Sequence, residues 1–153
     1  MKIRLFTIPN MLTLGNLVCG SVATIAIIGS QDIKLAFWLV IIAAVFDFFD
    51  GFTARLLKSS SAIGGELDSL ADMVSFGLVP ALAMYYTFLG APQISNLSAG
   101  VMEYAAYISL IIVAFSALRL AKFNVDDTQH AEFCGLPTPA NALFWGSLVV
   151  GEY

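Results

Sequence analysis

Four aspartates recur at helical spacing in a strongly apolar part of the sequence: Asp47, Asp50, Asp68 and Asp72. Because residues three or four apart lie on one face of an α-helix, Asp47 and Asp50 share one stripe, and Asp68 and Asp72 share another. Each carboxylate at the centre of a membrane helix costs about 2.5 to 3.5 kcal/mol, so the four require compensation. Oxygen ligands from carboxylates are what magnesium and manganese prefer. The pattern predicts a divalent-metal site in which two neighbouring helices pool their acids.

Small residues and one arginine accompany these acids. Gly51 and Ala54 fall on the first acidic stripe, and Gly64 falls on the second if that helix begins by Gly64; these small residues leave space for a nucleotide or a neighbouring helix. Arg55 supplies a planar cation suited to phosphate. Acids for metal, small residues for space and an arginine for phosphate together predict a site for a metal-bound diphosphate.

A simpler interpretation exists for each acidic pair taken alone. Asp47 and Asp50 could be a solvated helix end, and Asp68 and Asp72 an N-terminal turn favoured by the helix dipole. Intramembrane acids at matched spacing on two adjacent helices favour the functional interpretation, because the free energy of placing charges in the membrane must be offset by a functional advantage.

The composition indicates that lipid rather than water surrounds most of these helices. The chain has 153 residues, of which 59% are hydrophobic and 12% charged, with a mean hydropathy of +0.85. A membrane crossing takes about 20 largely apolar residues, and several stretches approach that length. We therefore predict an all-α, polytopic transmembrane helix bundle that forms a single membrane domain over residues 1–153.

Five helices are expected from the hydrophobic stretches. They run roughly over Met11–Ile28, from Leu35 past Arg55, from the Asp68 region to Leu89, over Val101–Leu120, and from Leu136 to Tyr153. Polar breaks are expected at 29–32, at Ser59–Ser61 with Gly64 and Gly65, at 90–100 and at 121–135. The fifth stretch is short for a crossing, so we expect a C-terminally truncated chain.

Basic residues indicate the orientation in the membrane. Alternating spans would deliver six of them to one side and only Lys34 to the other, which by the positive-inside rule makes the first side cytoplasmic. The six are Lys2, Arg4, Arg55, Lys58, Arg119 and Lys122. We expect a retained first helix, a cytoplasmic N-terminus and no nucleic-acid partner.

The spacing D-x2-D-G-x2-A-R-x8-G-x3-D-x3-D between Asp47 and Asp72 resembles the signature of CDP-alcohol phosphotransferases at all eight defined positions. Three further segments resemble the phosphatidylserine synthase branch of that family. They are Ile8–Thr13 with Asn16, Arg119–Asn124 and Gly135–Ala140.

This resemblance implies a homodimer of six-helix protomers in the bacterial inner membrane, with a site open to the cytoplasmic face. It implies two divalent ions, Mg²⁺ or Mn²⁺, with Asp47, Asp50 and Asp68 as ligands, and Asp72 as ligand and general base. The residues that would surround the CDP moiety are Gly51, Ala54, Arg55 and Gly64.

The implied reaction moves a phosphatidyl group from CDP-diacylglycerol to the hydroxyl of L-serine, giving phosphatidylserine and CMP. Arg119 and Asn124 are candidates for binding the acceptor, although Arg119 could equally be a positive-inside anchor. One alternative is the same chemistry with glycerol 3-phosphate or an inositol compound as acceptor. From another class, the acids could line a divalent-cation transporter, but the first, fourth and fifth helices place no acid near mid-span.

Overall fold

The computed structural model describes residues 6–57, 62–90, 99–125 and 137–151, and all regular secondary structure in these ranges is helical. This confirms the predicted all-α bundle. The helices are α1 (Ile8–Ser30), α2 (Ile33–Leu56), α3 (Ala62–Asp72), α4 (Val79–Gly90), α5 (Ala99–Ile108), α6 (Ile111–Val125) and α7 (Thr138–Gly151), and a π-helical segment, Met73–Leu78, joins α3 to α4.

A tight turn joins α1 to α2. Gln31 takes a left-handed backbone conformation, with φ at 53°, and its N–H group donates to the carbonyls of Ala26 and Ile27 in the last turns of α1. Asp32 then caps α2 by accepting a hydrogen bond of 2.9 Å from the Leu35 N–H group. The break predicted at 29–32 is confirmed, but it occupies only Gln31 and Asp32 because both helices run up to these caps.

The third helix begins earlier in the chain than the sequence predicted. Gly64 and Gly65 lie inside α3, so their assignment to the connecting segment was wrong, while Ser59–Ser61 lie outside the described residues. Because α3 begins at Ala62, Gly64, Asp68 and Asp72 share one continuous helix. The π segment comes directly after Asp72 and has buried residues at its centre. Single turns of π-helix occur frequently at functional sites.

The predicted fourth helix is divided in two. At Ser109 and Leu110 each backbone N–H group donates to the carbonyl three residues earlier instead of four. The Ser109 hydroxyl also donates to the Ala106 carbonyl at 2.7 Å. A break in the helix was predicted from Ala121 onwards, but α6 continues to Val125, so this part of the prediction was wrong. Residues 126–136 lie outside the described residues. α7 has 14 residues, fewer than the 20 or so of a full crossing.

Within the described ranges, four helical segments are long and apolar enough to cross a membrane: Ile8–Ser30, Ile33–Leu56, Ile63–Gly90 and Glu103–Val125. Large apolar side chains such as Ile25, Trp38 and Phe115 are more than 60% exposed on their outer faces. In hydrocarbon such exposure costs nothing, whereas in water it would be unfavourable. The protein is an integral membrane protein.

Small residues let the helices approach closely in the core. Ala36, Val40 and Ala43 of α2 are buried with Phe76, the largest fully buried side chain. At Gly146 of α7, a Cβ would lie 2.5 Å from the Phe37 ring, so this helix packs directly on α2. The first residues of α7 line a cavity together with residues of α3 and α6.

Candidate active site

Three aspartates from two helices come together. Asp47 and Asp50 of α2 and Asp68 of α3 each place a carboxylate oxygen within 4.8 Å of the other two. Oxygens on opposite sides of one magnesium ion lie about 4 Å apart, since each bond is about 2.0 to 2.1 Å. The helical hairpin therefore brings acids of both sequence stripes to nearly the spacing that a shared cation requires.

Asp72 lies one turn beyond Asp68, at the last residue of α3. It is outside the group of three but lines the same cavity as Asp47 and Asp68. Its Oδ1 accepts a hydrogen bond of 3.1 Å from Nδ2 of Asn16 on α1. Asp72 is therefore held by α1 while remaining at the cavity wall.

Asp50 is also bound by α1. The Thr13 hydroxyl lies 2.6 Å from Asp50 Oδ2 and 3.1 Å from the Pro9 carbonyl oxygen. A hydroxyl has one proton, and the shorter bond to a carboxylate is the stronger of the two. Asp50 and Asp72, the more buried pair of acids, thus each have a donor on α1.

The donor set fits a hard divalent cation. Asp68 Oδ1 is buried and has no hydrogen-bond partner among the described residues. Leaving a buried acceptor unsatisfied costs about 1 to 3 kcal/mol, and more if it is charged. A cation between the carboxylates would satisfy this oxygen and relieve their mutual repulsion, and carboxylate oxygens are the ligands that magnesium and manganese select.

Beside the acids is a cavity of about 210 Å³, which we call the aspartate cavity. It lies between α3, the end of α6 and the beginning of α7. One wall carries three carboxylates and the other carries the cationic side chain of Arg119. Its lining residues are Asp47, Asp68, Ser69, Asp72, Arg119, Leu120, Phe123, Pro137, Thr138 and Pro139.

Arg119 marks a boundary between two cavities. Its Nη1 donates to the Thr138 hydroxyl at 2.9 Å, which ties α6 to the first residue of α7. The same two residues also line a second cavity of about 340 Å³ between α6 and α7. The remaining lining of this α6–α7 cavity is mainly apolar: Ile111, Ile112, Phe115, Ser116, Asn141 and Trp145.

The other predicted acceptor-binding residue reaches the aspartate cavity indirectly. Asn124 is exposed, and its Oδ1 accepts a hydrogen bond of 3.1 Å from the Ser69 hydroxyl. Ser69 lines the cavity, whereas Asn124 is not part of its wall. The structure thus places Arg119 in the wall of the cavity beside the acids, and Asn124 in contact with Ser69 of that wall.

The predicted CDP-binding residues lie outside the walls of these two cavities. Arg55 is exposed, and its Nε donates to the Gly51 carbonyl at 3.0 Å. Gly51 faces open space, because a Cβ at this position would meet no atom within 4 Å. Ala54 is half-buried on the next turn, and Gly64 lies one turn before Asp68. Their roles remain predictions.

Several residues at the site carried little signal in the sequence. Thr13 appeared only within a resembling segment, and Ser69 and Thr138 were assigned no role. Asn10, Thr13 and Asn16 recur every three residues in an apolar helix, and all three are buried. That polar stripe on α1 was the available signal, since polar residues inside a membrane face the interior of the bundle.

Comparison with known proteins agrees with this geometry. The model of the CDP-alcohol phosphatidyltransferase family matches residues 6–150. The CDP-diacylglycerol–serine O-phosphatidyltransferase of Bacillus subtilis is 36% identical over 133 residues, which are 86% of this chain and 69% of the relative.

Two further organisms contain similar proteins with the same name. The one from Helicobacter pylori strain J99 is 35% identical over 141 residues, covering 91% of this chain and 55% of its own length. The one from Methanocaldococcus jannaschii is 36% identical over 141 residues, covering 92% of this chain and 59% of its own length. The chain spans little more than half the length of these two relatives. From the family match over nearly its whole length and the spacing of its acids, the chain belongs to the CDP-alcohol phosphatidyltransferase family.

Proposed function

We propose that this protein transfers the phosphatidyl group of CDP-diacylglycerol to the hydroxyl of L-serine, releasing phosphatidylserine and CMP. The similar proteins named above carry this activity in their names. The observation that carries the proposal is the group formed by Asp47, Asp50 and Asp68, whose oxygens lie within 4.8 Å of one another beside a cavity with Arg119 opposite.

Members of this family use divalent metals. We assign Asp47, Asp50 and Asp68 as ligands of Mg²⁺ or Mn²⁺, with Asp72 as a further ligand and two ions per site. When bound, the ions supply positive charge that stabilises negative charge on the diphosphate oxygens.

Asp72 is assigned as the general base. It accepts the proton of the serine hydroxyl as that oxygen attacks the phosphorus attached to diacylglycerol. A new phosphorus–oxygen bond forms while the bond to the CMP oxygen breaks, and CMP leaves with the electron pair. Asn16 holds one oxygen of Asp72 at 3.1 Å, and the carboxylate lines the cavity where the hydroxyl would lie.

The aspartate cavity suits a small zwitterion. Arg119 would bind the serine carboxylate, Asn124 would assist through Ser69, and the acidic wall would attract the ammonium group. A phosphorylated acceptor such as glycerol 3-phosphate would bring more negative charge to a wall that already holds three carboxylates. The charge distribution therefore favours serine.

The CDP moiety is proposed to lie beside Gly51, Ala54 and Gly64, with Arg55 contacting its phosphates. Open space next to Gly51 supports this position, because packing within the chain does not require a glycine there. Displacing Arg55 from the Gly51 carbonyl would free its guanidinium for phosphate.

The orientation follows from charge. Arg55, Arg119 and Lys122 lie at the helix ends near the acids, and Lys34 lies at the opposite end of α2. By the positive-inside rule, we propose that the site faces the cytoplasm across a bacterial inner membrane. We also propose a single domain over residues 1–153 that assembles as a homodimer.

The test uses the purified chain in lipid vesicles with CDP-diacylglycerol and Mn²⁺, offering serine, glycerol 3-phosphate and inositol separately and measuring CMP release. We expect release with serine only and its loss with a chelator. CMP release with another acceptor but not with serine would contradict the proposed acceptor, and no release with any of them would contradict the proposed reaction.

A matched pair of variants isolates the acidic group. Asp50→Asn removes one ligand charge and should abolish CMP release. Asp32→Asn removes a charge from the other end of the same helix and should leave release unchanged, because asparagine caps helices as well as aspartate does.

A further inference from the structure

We propose that Thr13 and Asn16 of α1 are positioning residues, which hold Asp50 and Asp72 in the geometry that the metal site and the general base require. This inference rests on the proposed function for the meaning of the acids. It goes beyond that function by assigning the support of the site to a helix that contributes none of its carboxylates.

The two donors are arranged for two different acids. Thr13 and Asn16 are three residues apart and therefore lie on one face of α1. Thr13 reaches Asp50 on α2 at 2.6 Å, and Asn16 reaches Asp72 at the end of α3 at 3.1 Å. One face of α1 therefore fixes an acid from each of the two helices that form the site.

Burial limits how far water could replace these donors. Thr13 is 3% exposed, Asn16 0%, Asp50 5% and Asp72 6%. A carboxylate that loses its donor at an exposed position exchanges it for solvent, whereas these carboxylates would remain unsatisfied or rotate away. Rotation of either would change where its oxygens point.

Asn16 is itself held in place. Its backbone carbonyl accepts a hydrogen bond of 3.0 Å from the Ser75 hydroxyl in the π segment. Ser75 and Asp72 are three residues apart along the chain, so α1 and this span are joined at two points around Asn16. The amide that contacts Asp72 therefore has little freedom to shift.

The Thr13 contact differs from those of other hydroxyl groups on the same helix. Ser21, Thr24 and Ser30 each donate to the carbonyl four residues earlier in α1. Thr13 also lies within reach of such a carbonyl but has an additional, shorter contact to a carboxylate on another helix. Thr24 is thus a matched control for Thr13.

Positioning and simple helix packing make different predictions. Removing a residue that orients a metal ligand typically lowers metal affinity or activity by 10- to 100-fold. A contact that only packs helices would alter the stability of the fold and leave the affinity of the folded protein for metal unchanged. Direct metal binding therefore separates the two roles.

The experiment measures Mn²⁺ binding to the purified full chain in detergent, by the loss of the electron paramagnetic resonance signal of free Mn²⁺. We expect Thr13→Val to weaken Mn²⁺ binding about 10-fold or more, and Thr13→Ser, which keeps the hydroxyl, to stay within about 3-fold of wild type. Thr24→Val should bind as wild type does. Wild-type affinity in Thr13→Val, or an equal loss in Thr24→Val, would overturn the proposal for Thr13.

Asn16→Ala supplies an independent test. We expect both its kcat and its affinity for Mn²⁺ to fall about 10-fold or more, because Asp72 is proposed as general base and as metal ligand, whereas a variant that is only partly folded would keep wild-type Mn²⁺ affinity in its folded fraction. An unchanged kcat would overturn the role of Asn16. If wild-type protein made no phosphatidylserine but Thr13→Val still weakened Mn²⁺ binding, the proposed function would fail and the positioning role would stand.

Discussion

Gly20 of α1 lies directly against Ser75 of the π segment, so that a Cβ on Gly20 would be 2.8 Å from the Ser75 Cα atom. Both the backbone and the hydroxyl group of Ser75 lie at this contact, so α1 has no room for a side chain here. The close approach lets the Ser75 hydroxyl reach the Asn16 carbonyl one turn earlier and brings the Asn16 amide to Asp72. A glycine that makes no contribution to chemistry thus sets the distance between α1 and the acids.

Gly20→Ala should therefore damage both the fold and the site. The added methyl group must push α1 away from backbone that cannot yield, which typically costs about 1 to 3 kcal/mol. Unfolding followed in detergent should show this loss, and CMP release should fall with it. Gly29→Ala, on the same helix with nothing within 4 Å, is the control and should not reduce stability. Equal effects of the two changes would contradict the prediction.

Gly51→Ala should separate activity from stability. Because a Cβ at Gly51 meets no atom of the chain, alanine is accommodated and should stabilise the helix by up to about 1 kcal/mol. If the space holds the CDP moiety, the methyl group should raise KM for CDP-diacylglycerol. Steady-state kinetics and thermal unfolding of the same preparation give both values, and unchanged KM would remove Gly51 from the nucleotide site.

Metal should stabilise the folded protein through the acidic group. A ligand that binds only the folded state adds about 2.7 kcal/mol at 100 times its dissociation constant, so unfolding should require a higher temperature in Mn²⁺ than in chelator. Asp68→Asn should lose most of this gain. Without metal it should be at least as stable as wild type, because one of three carboxylates within 4.8 Å has become neutral. The same Mn²⁺-dependent gain in the variant would argue against Asp68 as a ligand.

Arg119 and Lys122 allow acceptor binding to be distinguished from membrane anchoring. Arg119 lines the aspartate cavity, whereas Lys122 is exposed on the last turn of the same helix. Arg119→Gln should raise KM for serine about 10-fold or more, as expected for loss of a charge-assisted hydrogen bond, and leave Mn²⁺ affinity unchanged. Lys122→Gln should change neither quantity. Similar kinetics of the two variants would indicate that Arg119 serves only as an anchor.

Much of the fold was accessible from local patterns. Hydropathy over windows of about 20 residues identifies the spans, since the membrane imposes a length and a composition on each helix independently of its neighbours. The misplaced boundaries have local causes. Gly64 and Gly65 looked like breakers but are accommodated in α3, and the polar residues after Leu120 continue α6 as far as Val125.

The sequence by itself determined that acids lie on one face of each of two membrane helices, because helical periodicity and the cost of buried charge act within a single segment. Only the tertiary structure decided that Thr13 and Asn16 support Asp50 and Asp72, and that Arg119 closes the cavity opposite them. Those relationships depend on how closely α1, α6 and α7 approach the acidic hairpin. That approach is set by small residues such as Gly20 and Gly146, whose effect appears only when two helices are packed together.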